Sequence, residues 1–198
     1  MAYSKIDICN LALAMLGEDS IRSFDDHNKR ARLCSNLFDF SRDSILIKAA
    51  WTFAVKFFKL KKLDGIASDE QPPDISIYNM PNDCLKPLDI TPFGSKQKWY
   101  VCAEGIAVSS SVEEPTLKYI KKDVDVGSYT LPFISILSAK IAMHLALPVT
   151  KSQKIAGDTK KLYYAALAEN IPDDDNIGDN GKSPDNEPWR DTFVEVGQ

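Results

Sequence analysis

Two histidines, four cysteines, one lysine run and one acidic cluster are the residues in this chain whose types could support chemistry. A histidine oriented by a carboxylate can act as a general base. His27 stands beside Asp25 and Asp26 in a polar stretch and reads as part of a solvated loop, while His144 lies in an apolar segment and reads as a satisfied helix-face histidine. Cys9, Cys34, Cys84 and Cys102 occur singly, with no Cys-x-x-Cys pair and no histidine nearby, so their spacing does not suit zinc and they read as reduced, mostly buried small hydrophobes. Asp173, Asp174, Asp175 and Asp179 lack the EF-hand order of glycine and glutamate and read as a solvated charge run. The sequence has no glycine-rich phosphate loop, nucleophile elbow or His-Glu-x-x-His helix. The reading is therefore a non-enzyme with no catalytic residue, metal or cofactor. The enzymatic alternative is a carboxylate-based glycan hydrolase, which would depend on a separation of acids that only three dimensions define.

Lys56, Lys59, Lys61 and Lys62, interleaved with Phe53, Phe57 and Phe58, form the one basic-aromatic stretch. Such a run can contact phosphates and stack bases, or it can guard an edge strand against aggregation. It is therefore a candidate DNA or subunit contact, and a DNA-binding module is a further alternative function. The charge balance argues against tight DNA binding. Of the net −4, residues 171–198 hold eight acids against Lys182 and Arg190, which leaves the other 170 residues at only +2. That acidic segment ends in Pro188-Trp189-Arg190-Asp191-Thr192-Phe193-Val194. Pro188, Trp189, Arg190 and Phe193 are the candidate partner-binding residues, because aromatic anchors on an acidic strap suit another surface; the other reading folds Trp189 back onto its own domain.

The elements that must carry these residues follow from periodicity. The spacing predicts a first helix capped by Ser4, with Ile6, Cys9, Leu13 and Leu16 on one stripe, Ile8, Leu11 and Met15 on a second, and Gly17 as its stop. Apolar on more than one face, it should sit deep. A long helix over 28–50 follows, with Asn28 as cap, Leu33, Cys34, Leu37, Phe38, Ser41 and Ile45 buried and Lys29, Arg32, Asn36, Asp39 and Asp43 wet. The stretch 51–63 fits either a helix or an alternating strand, and its aromatic content favours a strand after Trp51.

From 64 to about 130, prolines and glycines leave room only for short strands, at 75–78, 84–90, 98–103, 106–109 and 116–120, with turns at 94–97 and at Glu104-Gly105. Helical spacing returns over 132–147, capped by Thr130 and stopped by Pro148, with only Ser135, Ser138, Lys140 and His144 facing outward. Thr150 and Gln153 read as a capping box that opens a fourth helix through Ile155, Leu162, Ala166 and Ala168 to Asn170. After Ile171 the chain is too poor in apolar residues to order itself. The expected fold is α+β and predominantly α: a four-helix bundle (1–63 and 128–170), a small antiparallel β-rich insertion (64–127) and an extended acidic C-terminal tail (171–198). Asp7 and Asn10 interrupt the apolar run 6–16 and no stretch approaches about 18 consecutive apolar residues, so a soluble cytoplasmic chain without signal peptide or membrane span is expected.

The order of signals resembles a phage family, the tail tubular protein A or head-to-tail adaptor of short-tailed phages. The resemblance rests on Asn10-Leu11-Ala12-Leu13 with Leu16-Gly17-Glu18, the loop 21–26, the long helix closing on Ala50-Trp51-Thr52-Phe53-Ala54, Tyr78-Asn79-Met80-Pro81-Asn82-Asp83-Cys84-Leu85, Leu117-Lys118-Tyr119-Ile120, and the late helix with Ala139, Ala142, Leu145 and Ala146 before Pro148. It covers most of residues 4–170 and does not extend to the tail. It implies a virion structural protein, assembled in the bacterial cytoplasm as a homo-oligomeric ring of twelve. Such a ring would dock beneath the portal protein, receive the tail tube or nozzle protein, and pass double-stranded DNA through its lumen without specific binding.

Overall fold

The computed structural model describes residues 3–63, 74–93 and 98–171. The fold is mixed α+β, with four helices and two small antiparallel sheets. Cα packing divides the described chain into a helical unit, residues 3–55 and 120–171, and a β unit, residues 56–119. The boundaries expected from the proline and glycine punctuation, after residues 63 and 127, lie eight residues further along the chain in each case.

In the helical unit, α1 (Lys5–Met15) starts on a capping box. Ser4 Oγ accepts from the Asp7 backbone N–H while Asp7 accepts from the Ser4 N–H, and Gly17 in the left-handed region ends the turn after Leu16. Ile8, Cys9, Ala12 and Leu13 are buried, but Leu11 and Met15 are exposed, so α1 does not sit as deep as its two stripes suggest. α2 (Lys29–Leu46) is capped by the Asn28 side chain and ends four residues short of the expected 50. It buries Cys34, Phe38, Ser41 and Ile45 as the wheel predicts, together with Arg42, while Leu33 and Leu37 are only half-buried.

α3 (Leu131–Thr150) is the common partner of α1, α2 and α4 (Gln153–Asn170). It is long and apolar enough to cross a membrane by length and composition, and 61% of that apolar window is buried within the protein. Ser138 and Lys140, expected outside, are buried with it. Pro148 does not stop α3: the helix runs on to Thr150, whose Oγ1 donates to the Ala146 carbonyl, and it ends where Lys151 turns left-handed (φ 56°). The cap of α4 is therefore Ser152, which accepts from Ile155 N–H, and not Thr150. α4 buries only Thr159 and Tyr163 fully and leaves Leu162 exposed.

In the β part, a single 3-10 turn (Thr52–Ala54) precedes β1 (Val55–Lys59), so the aromatic run after Trp51 is a strand as expected. β2 (Ile75–Tyr78), β3 (Cys84–Ile90), β4 (Trp99–Val101), β5 (Ile106–Ser109) and β6 (Thr116–Lys121) complete two sheets in the orders β1-β6-β3 and β2-β5-β4. β4 and β5 form an antiparallel hairpin in the register Val101↔Ile106 and Trp99↔Val108; Cys102 and Gly105 exchange backbone hydrogen bonds, so the turn is Ala103-Glu104, one residue earlier than the expected Glu104-Gly105. Gly105 has φ 153° and lies so near the Tyr78 carbonyl that a Cβ would meet its oxygen at 2.2 Å, which only glycine avoids. The core here is Leu60, Tyr78, Ile90, Ile106, Val108, Leu117 and Tyr119.

Candidate interaction surfaces

The lysine run does not present four free charges. Its residues lie on β1 and just beyond, and β1 is an edge strand. Lys56 Nζ pairs with Asp83 at 3.1 Å and Lys59 Nζ with Glu114 at 2.8 Å. Lys61 and Lys62 follow in exposed positions where the chain bridges to Tyr78 of β2. The phenylalanines separate. Phe53 packs on Tyr129 and Phe133 in the helical unit, Phe58 packs against the β core, and Phe57 is exposed beside Phe93 with ring centres 5.6 Å apart. With two of four lysines neutralised and one aromatic group outward, the stretch is better suited to guarding an edge than to tracking a phosphate backbone.

Asp83 is the centre of a network that only the fold assembles. Tyr119, fully buried on β6, donates its hydroxyl to Asp83 Oδ1 at 2.8 Å, and Lys56 meets the other oxygen. Partial burial works against the Asp83 charge, but these two donors outweigh it and hold the carboxyl below its ordinary value. Burial and the adjoining carboxylate raise the Tyr119 hydroxyl, and the bond to Asp83 raises Lys56. Burial with Asp83 nearby pushes the Cys84 thiol up to about 11, so this half-buried cysteine is protonated at neutral pH.

In the helical unit, Arg42 is buried and bonds both Asp39 (2.8 Å) and Asp43 (2.7 Å). Burial opposes its charge and the two carboxylates restore it. Beside it the Tyr129 hydroxyl makes no hydrogen bond of ordinary geometry, and burial pushes it up to about 12 despite the guanidinium. Lys140 lies buried with its Nζ 5.4 Å over the Tyr163 ring, and burial plus Lys48 lowers its affinity for the proton. His144 stands edge-on to Phe40 at 5.8 Å; its Nε2 is buried without a partner, and burial with Lys140 nearby keeps it neutral. With that nitrogen unpartnered, it is not the satisfied helix-face histidine expected. Near His27, the Asp26 carboxylate accepts from the Arg22 backbone N–H and the Asp25 carboxylate from the Ser23 hydroxyl, so both carboxylates bond their own loop. Cys9 and Cys34 are buried and face each other between α1 and α2; hydrogen bonding to Cys34 and burial raise the Cys9 thiol. No cluster of three or more metal-ligating side chains occurs among the described residues.

Pro188, Trp189, Arg190 and Phe193, the turn at 94–97 and the acids 173–179 lie outside the described residues. Sequence reasoning missed the Arg42, Lys140 and Asp83–Tyr119 groups. A helical wheel places a charge outside by default, and residues 36 positions apart carry no local signal of contact. No family model matches the chain, and no curated protein matches it.

Proposed function

We propose that the protein is a structural part of a phage particle, a head-to-tail adaptor of the tail tubular protein A kind, with no chemistry of its own. Copies close head to tail into a ring, of twelve by the family resemblance, which docks beneath the portal and receives the tail nozzle. A closed ring repeats one heterologous interface in every subunit. The helices, as a four-helix bundle, pack subunit to subunit, while the β insertion and the acidic tail, with Trp189 and Phe193 as anchors, make axial contacts. Twelve copies at −4 carry about −48, a sign that repels DNA phosphates and lets the duplex slide through the lumen.

One observation supports this reading: residues that carry the resemblance are held in the framework of the fold, two pairs of them by bonding each other. Asn10 exchanges two hydrogen bonds with the backbone of Ile21, tying the first motif to the 21–26 loop. Trp51 donates to the Ile45 carbonyl and stacks edge-on against Phe133 at 5.1 Å. Asp83 receives Tyr119. Contacts of this kind suit a framework role for the motifs. The test is mass measurement by sedimentation, alone and with portal rings. The full chain is expected to join the portal as a ring, and a chain lacking 171–198 to stay folded yet not bind. A full chain that remains apart from portal assemblies overturns the reading.

A further inference from the structure

We infer that Lys140, with His144 and Lys48 beside it, forms a binding site for a single carboxylate on the helical unit. Among the described residues of this unit, the two buried cations have opposite surroundings. Arg42 is 6% exposed and bonds two carboxylates. Lys140 is 8% exposed, and no acid or hydrogen-bond acceptor among the described residues meets its Nζ, which has only the Tyr163 ring. Taking an ammonium out of water without an acid costs stability that a well-packed apolar side chain in its place would not. A charge held in this way is a mark of a functional site, because a ligand of opposite charge would relieve the cost.

Three helices build the place. Lys140 and His144 lie four residues apart on α3 and so share one face of it. α4 supplies Tyr163, whose ring centre is 5.4 Å from the Lys140 Nζ, and α2 supplies Phe40, edge-on to the His144 ring at 5.8 Å. His144 Nε2 is buried without a partner. Lys48, two residues past the end of α2, is exposed, is in no ion pair among the described residues, and lies near enough to Lys140 to disfavour its charge. The cluster thus gathers two ammonium groups and an unpaired imidazole nitrogen, and no acid of the unit neutralises it.

The donor set selects the ligand. Residues 140–144 are interior to α3, so their backbone amides are spent within the helix and only side chains can donate. Lys140 offers three N–H groups, and neutral His144 offers one when its proton is on Nε2. The two oxygens of a carboxylate match that set, with a charge-assisted bond to Lys140. A phosphate dianion would bring a second charge and further oxygens to a place whose walls, Phe40 and Tyr163, are aromatic and offer them no partner. The same walls suit the carbon that carries a carboxyl group. A bound carboxylate would do for Lys140 what Asp39 and Asp43 do for Arg42. The inference goes beyond the adaptor reading and does not rest on it.

The chain has two histidines, so the imidazole resonances of the full chain test the site, with His27 as internal control. Acetate is titrated at neutral pH with ionic strength held constant by chloride, which fixes the screening. The His144 signals are expected to move saturably while those of His27 stay. The half-saturating acetate concentration is expected to rise at least about tenfold in Lys140→Met and about two- to threefold in Lys48→Gln, which alters only an exposed side chain. Inorganic phosphate is expected to bind more weakly than acetate. With no acetate present, a His144 shift that grows with protein concentration and disappears in Lys140→Met assigns the carboxylate to a second copy, and a shift seen only with acetate assigns it to a free acid. A His144 signal that does not move, that tracks His27, or that moves as much in Lys140→Met overturns the inference, and phosphate binding tighter than acetate overturns the choice of carboxylate.

Discussion

In the β unit the buried Tyr119 hydroxyl donates to Asp83, and Asp83 is met by Lys56, so the group taken from water is paired within the unit. In the helical unit Tyr129 is also buried, yet its hydroxyl has no hydrogen bond of ordinary geometry; Ser41 Oγ and His144 Nε2 are likewise unpartnered, and the buried Lys140 lies over the Tyr163 ring with Lys48 and His144 nearby. Antiparallel strands bring residues distant in sequence side by side, so a partner can be supplied from across the sheet. Side chains between packed helices depend on the few residues opposite them. Arg42 with Asp39 and Asp43 apart, the helical unit therefore draws its stability mainly from apolar and aromatic packing, and the β unit in part from a polar network.

The sharpest way to break that comparison is at Phe133, which is fully buried and meets Trp51 and Phe53 at 5.1 Å and Tyr129 at 4.8 Å. Phe133→Ala is expected to lower stability by about 3–5 kcal/mol in chemical denaturation, through lost transfer energy and an unfilled cavity. A loss under about 1 kcal/mol would remove the aromatic cluster as the basis of the helical unit.

A matched pair of hydroxyl deletions comes next. Tyr119→Phe removes a bond to a charged acceptor and should cost about 1.5–3 kcal/mol, whereas Tyr129→Phe removes an unpaired group and should leave stability unchanged or raise it by up to about 1 kcal/mol. The Tyr119 difference has a predictable pH range. The Asp83 carboxyl is depressed in the folded state, so the wild-type advantage is complete above the unfolded value of 3.8 and is lost as pH falls through the lower folded one. The Tyr119 hydroxyl is raised, so the advantage also fades as pH climbs past 10.0 through the folded value. Equal losses at the two tyrosines across that range would erase the distinction between the units.

What was legible in the sequence divides along the same line. Strands 75–78, 84–90 and 106–109 were readable because alternation and flanking proline, glycine and asparagine act locally, and the Ser4 and Asn28 caps for the same reason. The end of α3 was not readable. Proline removes one donor, but Thr150 bonding back to Ala146, and Lys29 reaching the Pro148 carbonyl from α2, hold the turn beyond it. Lys140 was expected to face outward and Arg42 flanks the buried stripe of Phe38 and Ile45; the burial of both charges is decided by neighbouring elements. Of the candidate surfaces, the lysine run was visible as residues but not as ion pairs, since Asp83 and Glu114 lie far along the chain.

The smallest expected effect sharpens the comparison most, because it concerns a charge the helical unit holds without an acid. Lys140 is only 8% exposed, and its ammonium is disfavoured first by burial and then by Lys48. A lysine whose folded proton affinity is depressed below the ordinary 10.5 costs stability throughout the range below its folded value, and the penalty falls away as pH rises towards and past 10.5. Lys140→Met keeps an unbranched stem over Tyr163 and deletes the charge. It forfeits a cation–π contact of about 0.5–1 kcal/mol and relieves a desolvation penalty of similar or greater size. The expected net is a stabilisation of less than about 1 kcal/mol at pH 7, measured by denaturant midpoint and shrinking by pH 11. A loss larger than about 1 kcal/mol at pH 7 would mean that the Tyr163 ring compensates the buried ammonium as fully as Lys56 and Tyr119 compensate Asp83, and the contrast between the two units would then rest on Tyr129, Ser41 and His144 alone.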